Sequence, residues 1–297
     1  MLFRSMDIIY IADLDFIAKR EIKSLPPFHG ARFSAFLRFA CRKANIKLDE
    51  CAHALLPFRS GTRHIHIGEH LRLRLLLNEY GKEKLPYLCN AIFSTDEMGE
   101  FNSDSLQLVS VIDAVVNKIV NFIPNKGFDL TQFSFDYLKR ETEYLLNLDS
   151  FTLNFFTPLR LPLPPKVRVV NASDYEKLCK QDFFYSFENA LFHILNSLKH
   201  LGELAVDLSD IEKLPEVVEC NTEWADVRYS KTRQIPLGGI VGDIKYEGKL
   251  PSYELALRLV AGQYTGLGRN QRFGLGFYKI PELEIVRSIY MPTNTRK

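Results

Sequence analysis

The chain has 297 residues, of which 46% are hydrophobic and 25% charged; this composition excludes disorder and collagen-like repeats and allows two domains of about 150 residues. Lys and Arg number 38 against 36 Asp and Glu, a formal net charge of +2, which alone argues neither for nor against a nucleic-acid partner. The balance is uneven: residues 29–90 carry 11 basic and 5 acidic side chains, 91–225 carry 11 and 21, and 226–276 carry 8 and 4. Two basic blocks flank an acidic middle. Surface fields act locally, over roughly 8–10 Å at ordinary ionic strength, so such a chain can present an anion-binding face or be merely patchy.

Five cysteines, Cys41, Cys51, Cys89, Cys179 and Cys220, form no CxxC pair. No disulfide framework or thiolate metal site is expected, and a reducing compartment fits. The first residues lack an apolar segment with a small-residue cleavage site, and no stretch reaches the roughly 18 apolar residues of a membrane span. The expected location is cytoplasmic, with no membrane partner.

In chain order, Ile8 to Ala12 with Phe16 and Ile17 reads as a strand, and Leu25-Pro26-Pro27 breaks it. Phe33, Phe36, Leu37, Ala40, Cys41 and Ala44 recur at helical spacing, with Arg32, Arg38, Arg42 and Lys43 on the other faces. From His64 to Leu77 the period changes to two: His64, His66, His70, Arg72 and Arg74 alternate with Ile65, Ile67, Leu71, Leu73 and Leu75. A hairpin bend near Gly68-Glu69 divides this stretch, leaving one apolar face and one basic face. Leu106, Val109, Ile112, Val116 and Ile119 predict a second helix, and a polar helical stretch follows around Lys139 to Asn147.

The pattern starts again near Phe151. A strand, Phe151 to Phe156, meets a proline cluster, and Phe183 to Leu198 predicts a long helix. An extended segment from Glu223 to Gln234, a Pro236-Leu237-Gly238-Gly239 turn and a strand Ile240 to Tyr246 come next. A helix from Ser252 to Tyr264, a glycine-rich loop and a closing strand Phe277 to Leu283 complete the order β-α-β-β-α-β. This is the ferredoxin-like arrangement also used by RNA-recognition domains. The first half is compatible with it, so the expected fold is α+β with two tandem ferredoxin-like domains, 1–148 and 149–297.

The loop Gly266-Leu267-Gly268-Arg269-Asn270-Gln271-Arg272-Phe273-Gly274-Leu275-Gly276 is the most specific motif. It stands between a helix and a strand, the reverse of a nucleotide-binding turn, and no Lys-Ser/Thr pair completes a P-loop. Its glycines allow close backbone approach to a ligand, and Arg269 and Arg272 suit phosphate oxygens. The competing reading is a purely structural turn.

Three segments together carry a family resemblance: this loop before the last strand, Trp224 to Gln234 with Pro236 to Gly242, and Pro26-Pro27-Phe28-His29-Gly30-Ala31. They resemble the CRISPR repeat-processing endoribonucleases of the RAMP superfamily. The resemblance is specific over the last 75 or so residues and weak between 80 and 180. It implies two ferredoxin-like domains and metal-free cleavage of precursor CRISPR RNA, without a cofactor. It also implies repeat RNA held by the loop (Gly266, Gly268, Arg269, Asn270, Gln271, Arg272, Gly274, Gly276) and by Arg228, Lys231, Arg233 and Gln234. The partners it implies are the repeat RNA and other CRISPR-associated effector subunits. A non-catalytic RNA-binding RAMP subunit of an effector complex is the alternative.

Metal-free RNA cleavage uses the neighbouring 2′-hydroxyl as nucleophile, so it needs a base, an acid for the 5′-oxygen and cations for the phosphorane charge. Histidine can take either proton role. His29, at the start of the first helix and near Arg32, stands where the family commonly places a catalytic histidine; a capping or packing histidine is the alternative. His64 and His66, with His70 and the RNA-contact candidates Arg72 and Arg74, form a second cluster. It reads as catalysis or RNA contact, as a metal site that lacks an acidic or cysteine ligand, or as a solvated strand face. His193 and His200 lie on the polar side of the long helix and read as surface residues.

Overall fold

The computed structural model describes residues 10–23, 28, 30–48, 52–57, 64–93, 104–123, 127–133, 138–160, 214–228, 236–268 and 271–286. The chain divides into two compact units: Met1–Phe133 with Val227–Gln234 and Gln271–Gly274, and the remainder.

In the first unit β1 (Tyr10–Ala18) leads to α1 (Gly30–Lys43), then β2 (Ala52–Pro57), β3 (His70–Leu77), α2 (Glu79–Phe93), β4 (Leu106–Asp113) and β5 (Lys118–Val120). The sheet order is β2-β3-β1-β4-β5, with antiparallel pairing of β1 to β3 and β4, and of β3 to β2. Apart from the added edge strand β5, this is the ferredoxin-like order. Leu14 and Phe16 of β1 and Leu71, Leu73 and Leu75 of β3 are buried with Phe33, Phe36 and Leu37 of α1 and Leu88 of α2. Alternation in the strands and helical spacing in α1 thus converge on one core. Phe16 meets Phe33 and Phe36 at ring-centroid distances of 6.3 and 6.4 Å, which fixes the first turns of α1 over the end of β1. A small ribbon, β6 (Phe122–Ile123) with β7 (Gly127–Phe128), follows β5.

In the second unit, after α3 (Lys139–Leu146), come β8 (Ser150–Leu159), β9 (Glu216–Arg228), β10 (Pro236–Glu247), α4 (Tyr253–Thr265) and β11 (Tyr278–Lys279). The sheet order is β11-β8-β10-β9, again ferredoxin-like. Aromatic side chains fill its core: Phe151 stacks on Tyr246 at 5.1 Å, and Phe155 lies 5.5 Å from Tyr278. Ser252 caps α4, its hydroxyl accepting from the Leu255 amide at 3.2 Å, as an N-cap serine does.

Three sequence expectations change. The helix expected from Leu106 to Val120 is the hairpin β4–β5. Leu106 and Leu108 are buried while Val109 is exposed, and the buried Asp113 carboxylate accepts from the amides of Val115 at 2.9 Å and Thr131 at 2.6 Å. That carboxylate fixes a turn where a helix would have to continue. Residues 236–239, expected as a turn, begin β10. Gly238 is required there because the Trp224 indole occupies the space a Cβ would need. The closing strand, expected over Phe277 to Leu283, is confined to Tyr278–Lys279 and runs into a 3-10 turn at Pro281–Leu283. The helix expected over Phe183–Leu198, with His193 and His200, lies outside the described residues. Among those described, no helix is long and apolar enough to cross a membrane.

Candidate functional site

The alternating segment folds as its period predicts from His70 onward, whereas Ile67, expected on the apolar face, is 67% exposed in the bend. Leu71, Leu73 and Leu75 are buried, and His70, Arg72 and Arg74 occupy the opposite face of β3. That face is charge-balanced, however, because β1 presents Asp13 and Asp15 to it. Asp13 pairs in register with Arg74, and Asp15 with Arg72. Arg74 binds Asp13 through both fork nitrogens, Nε to Oδ1 at 2.8 Å and Nη2 to Oδ2 at 3.0 Å, the strong bidentate geometry. Arg72 Nε lies 3.8 Å from Asp15 Oδ1. His70 Nδ1 lies 3.2 and 3.1 Å from the two Asp15 oxygens. Both carboxylates are buried, at 4% and 7% exposure, so their counter-cations are structurally required. Arg74 is therefore committed to a structural pair, while Arg72 and His70 keep exposed side chains, at 48% and 56%.

Sequence reasoning missed the two aspartates as site residues. The signal was available, since acids at alternate positions within the buried run Tyr10–Ala18 demand partners on the neighbouring strand.

His64 and His66 are exposed and flank the buried Ile65, whose backbone exchanges hydrogen bonds with Ile22 at 3.0 and 3.1 Å. The bend falls at Ile67-Gly68. Glu69 turns back to accept from the His66 amide at 2.6 Å. Among the described residues, no group of three His, Cys, Asp or Glu could hold a metal ion.

His29 lies outside the described residues. Gly30 after it opens α1 against the carbonyl of Phe273, so that no Cβ fits between them. Arg32 is half-buried on the first turn of α1.

The glycine-rich loop is tied down through its own backbone. Gly266 donates to the Gly262 carbonyl at 2.8 Å, Leu267 to Gly276 at 2.7 Å, Gly274 to Gln271 at 2.8 Å and Gly276 to Pro158 at 2.9 Å. Gly276 has φ +79° and lies against the Leu267 carbonyl, leaving no room for a side chain. These four amides serve the fold, which gives the structural reading of the glycines real weight. Gln271–Phe273 forms a 3-10 turn. Arg269, Asn270, Lys231, Arg233 and Gln234 lie outside the described residues, Arg228 ends β9, and Gly268 ends the described part of the loop before Arg269.

Residues 153–278 match the family model described as CRISPR-associated endoribonuclease Cas6. The matched segment begins in β8 and ends in β11, so it contains the glycine-rich loop and the Trp224 and Pro236–Gly242 segments from which the resemblance was drawn. Similar solved structures include a Cas6-RT-Cas1–Cas2 complex, at 13% identity and TM-score 0.63 over 92% of this chain and 45% of the other. A Cas6 product complex matches at 15% identity and TM-score 0.55, covering 92% of this chain and 99% of that one. Thermus thermophilus Cas6 matches at 16% identity and TM-score 0.53, covering 92% and 98%. The chain spans 45% and 28% of the first two matched chains, both from Cas6-RT-Cas1–Cas2 complexes. At these identities the likeness to Cas6 structures concerns the fold, two ferredoxin-like domains in tandem. No curated protein matches the sequence.

Proposed function

We propose that this chain is an endoribonuclease that binds CRISPR repeat RNA in precursor transcripts and cuts it by metal-independent general acid-base catalysis. The observation that carries the reading is the Cas6 match over residues 153–278, which includes the glycine-rich loop, the helix α4 before it and the start of β11 after it. In the proposed chemistry the 2′-oxygen attacks the adjacent phosphorus and the 5′-oxygen leaves. One group takes the 2′-hydroxyl proton and another protonates the leaving oxygen. His29 is the first assignment for such a group, and the exposed His64 and His66 the second.

RNA binding is assigned to Arg32, Arg72, Arg228, Lys231, Arg233, Gln234 and the loop from Gly266 to Gly276. The loop glycines shape the backbone there, and Arg269, Asn270 and Arg272 supply the contacts. Arg74, held by Asp13, supports the strand from which Arg72 projects. Other CRISPR-associated subunits are proposed as partners.

The test is incubation of the full chain with repeat RNA in EDTA. A single cut within the repeat is expected, and cleavage that needs added metal or does not occur overturns the reading. Unchanged cleavage by His29→Ala would remove only that assignment.

A further inference from the structure

The described part of the molecule holds one histidine whose ring is exposed while its Nδ1 side is held by a buried carboxylate. We propose that His70 is a proton-transfer residue of RNA cleavage, acting as general base, with Asp15 as its positioning residue. The inference rests on the endoribonuclease reading and adds to it a residue pair.

Geometry comes first. An ionised carboxylate only accepts hydrogen bonds, so Asp15 selects the His70 tautomer with hydrogen on Nδ1. That leaves the Nε2 lone pair on the exposed side of the ring, the arrangement in which a carboxylate orients an imidazole base. His64 and His66 have no such carboxylate among the described residues, where only the His66 backbone amide is held, donating to Glu69.

Asp15 is also placed with unusual care. A β-bulge between β1 and β4 falls at Asp15/Phe16, and bulges re-aim side chains next to functional sites. Facing Asp15 are Arg72 on β3 and Ser110 on β4, with the Asp13–Arg74 pair two residues along. His70 pairs with Ile17 at the end of β1, and the neighbouring Phe16 contacts Phe33 in the first turn of α1 at 6.3 Å. The pair thus stands at the end of the sheet where the chain turns from β1 toward α1.

In the step, the 2′-hydroxyl proton moves to His70 Nε2 as the 2′-oxygen–phosphorus bond forms. The phosphorus–5′-oxygen bond breaks and a separate acid protonates the 5′-oxygen. The imidazolium formed faces the Asp15 carboxylate.

The decisive variant is His70→Gln in the full chain, whose side-chain amide can still donate to Asp15 but cannot act as a base. Single-turnover cleavage of repeat RNA in EDTA is followed against pH. Affinity is measured on the same RNA with a 2′-deoxy nucleotide at the cut. The rate should fall about 100-fold or more, with Kd within about threefold and the acidic limb of the rate profile lost. Asp15→Asn should lower the rate about tenfold at saturating RNA. Wild-type rates in His70→Gln overturn the proposal, and so does a rate that falls only in step with affinity, which would make His70 an RNA contact. His29→Ala serves as the control. If it loses cleavage and His70→Gln does not, this inference alone fails; if the unaltered chain makes no cut, the endoribonuclease reading fails as well.

Discussion

The two sheets share a strand order and differ in what their central strands bury. In the first, β1 buries Asp13 and Asp15 beneath Arg74, Arg72 and His70, on the face opposite Leu14 and Phe16. In the second, β8 buries Phe151, Leu153 and Phe155 against Tyr246 and Tyr278. One topology therefore supports two kinds of interior. The aromatic one is held by area and stacking and tolerates gradual change. The charged one is most sensitive at Asp13–Arg74, where removing one member takes two hydrogen bonds from a largely buried charge. Such an arrangement weighs against pure stability, and it is the first sheet that carries the proposed proton-transfer pair.

The contrast can be broken most sharply at Asp13. Asp13→Ala removes both hydrogen bonds that the carboxylate accepts from the largely buried Arg74 guanidinium and should cost about 3–5 kcal/mol in urea denaturation. Replacing both partners, as in Asp13→Leu with Arg74→Met, should recover most of that loss. A double variant no better than the single one would place the first sheet under the same rules as the second. In the second unit, Gly276→Ala should cost about 1–3 kcal/mol from its left-handed backbone alone, with the Leu267 carbonyl adding to it, and a thermal melt would read the loss.

Alkaline pH tests both units. Burial pushes the Cys89 thiol up to about 12 and raises the hydroxyls of Tyr246 and Tyr278 above their ordinary 10. A folded-state value above the unfolded one means stability that is fully present below the unfolded value and lost as pH rises toward the folded one. Denaturation midpoints should therefore fall from about pH 9 upward, by at most about 1.4 kcal/mol per pH unit for each group. Cys89→Ala should remove the part that begins lowest. A midpoint flat to pH 11 would contradict the burial of these groups. The smallest expected effect is Ser252→Ala, about 1 kcal/mol from the lost cap on α4, read by the same denaturation.

The fold was legible wherever one period dominated. Leu71, Leu73 and Leu75 alternate without exception, and Phe33, Phe36, Leu37 and Ala40 fit only a helix. The segment 106–120 misled because Leu106, Val109, Ile112 and Val116 satisfy helical spacing while the true burial follows alternate residues, and the Asp113 turn that decides between them depends on Thr131, eighteen positions away. At 236–239 the Pro-Leu-Gly-Gly composition signals a turn; a strand forms because the Trp224 ring and the Leu159 backbone press against the two glycines.

The site was legible in part. The basic face of β3 and the loop were visible as patterns, but the neutralising aspartates sit 55 and 61 positions from their partners. No local window holds both halves of such a pair. The loop glycines advertised ligand approach, yet the amides of Gly266, Gly274 and Gly276 are spent on Gly262, Gln271 and Pro158, a use that becomes visible only when the helix end and the strand are brought together.

Trp224 has one more consequence. It is the chain's only tryptophan, and it sits on β9 with its ring against Gly238 of β10. Intrinsic fluorescence is thereby a single-site gauge of strand pairing in the second unit, with no label to introduce. Emission excited at the red edge, where tyrosine does not absorb, and shifting when β9 peels from β10 would follow that one event, because the first sheet holds tyrosine but no tryptophan.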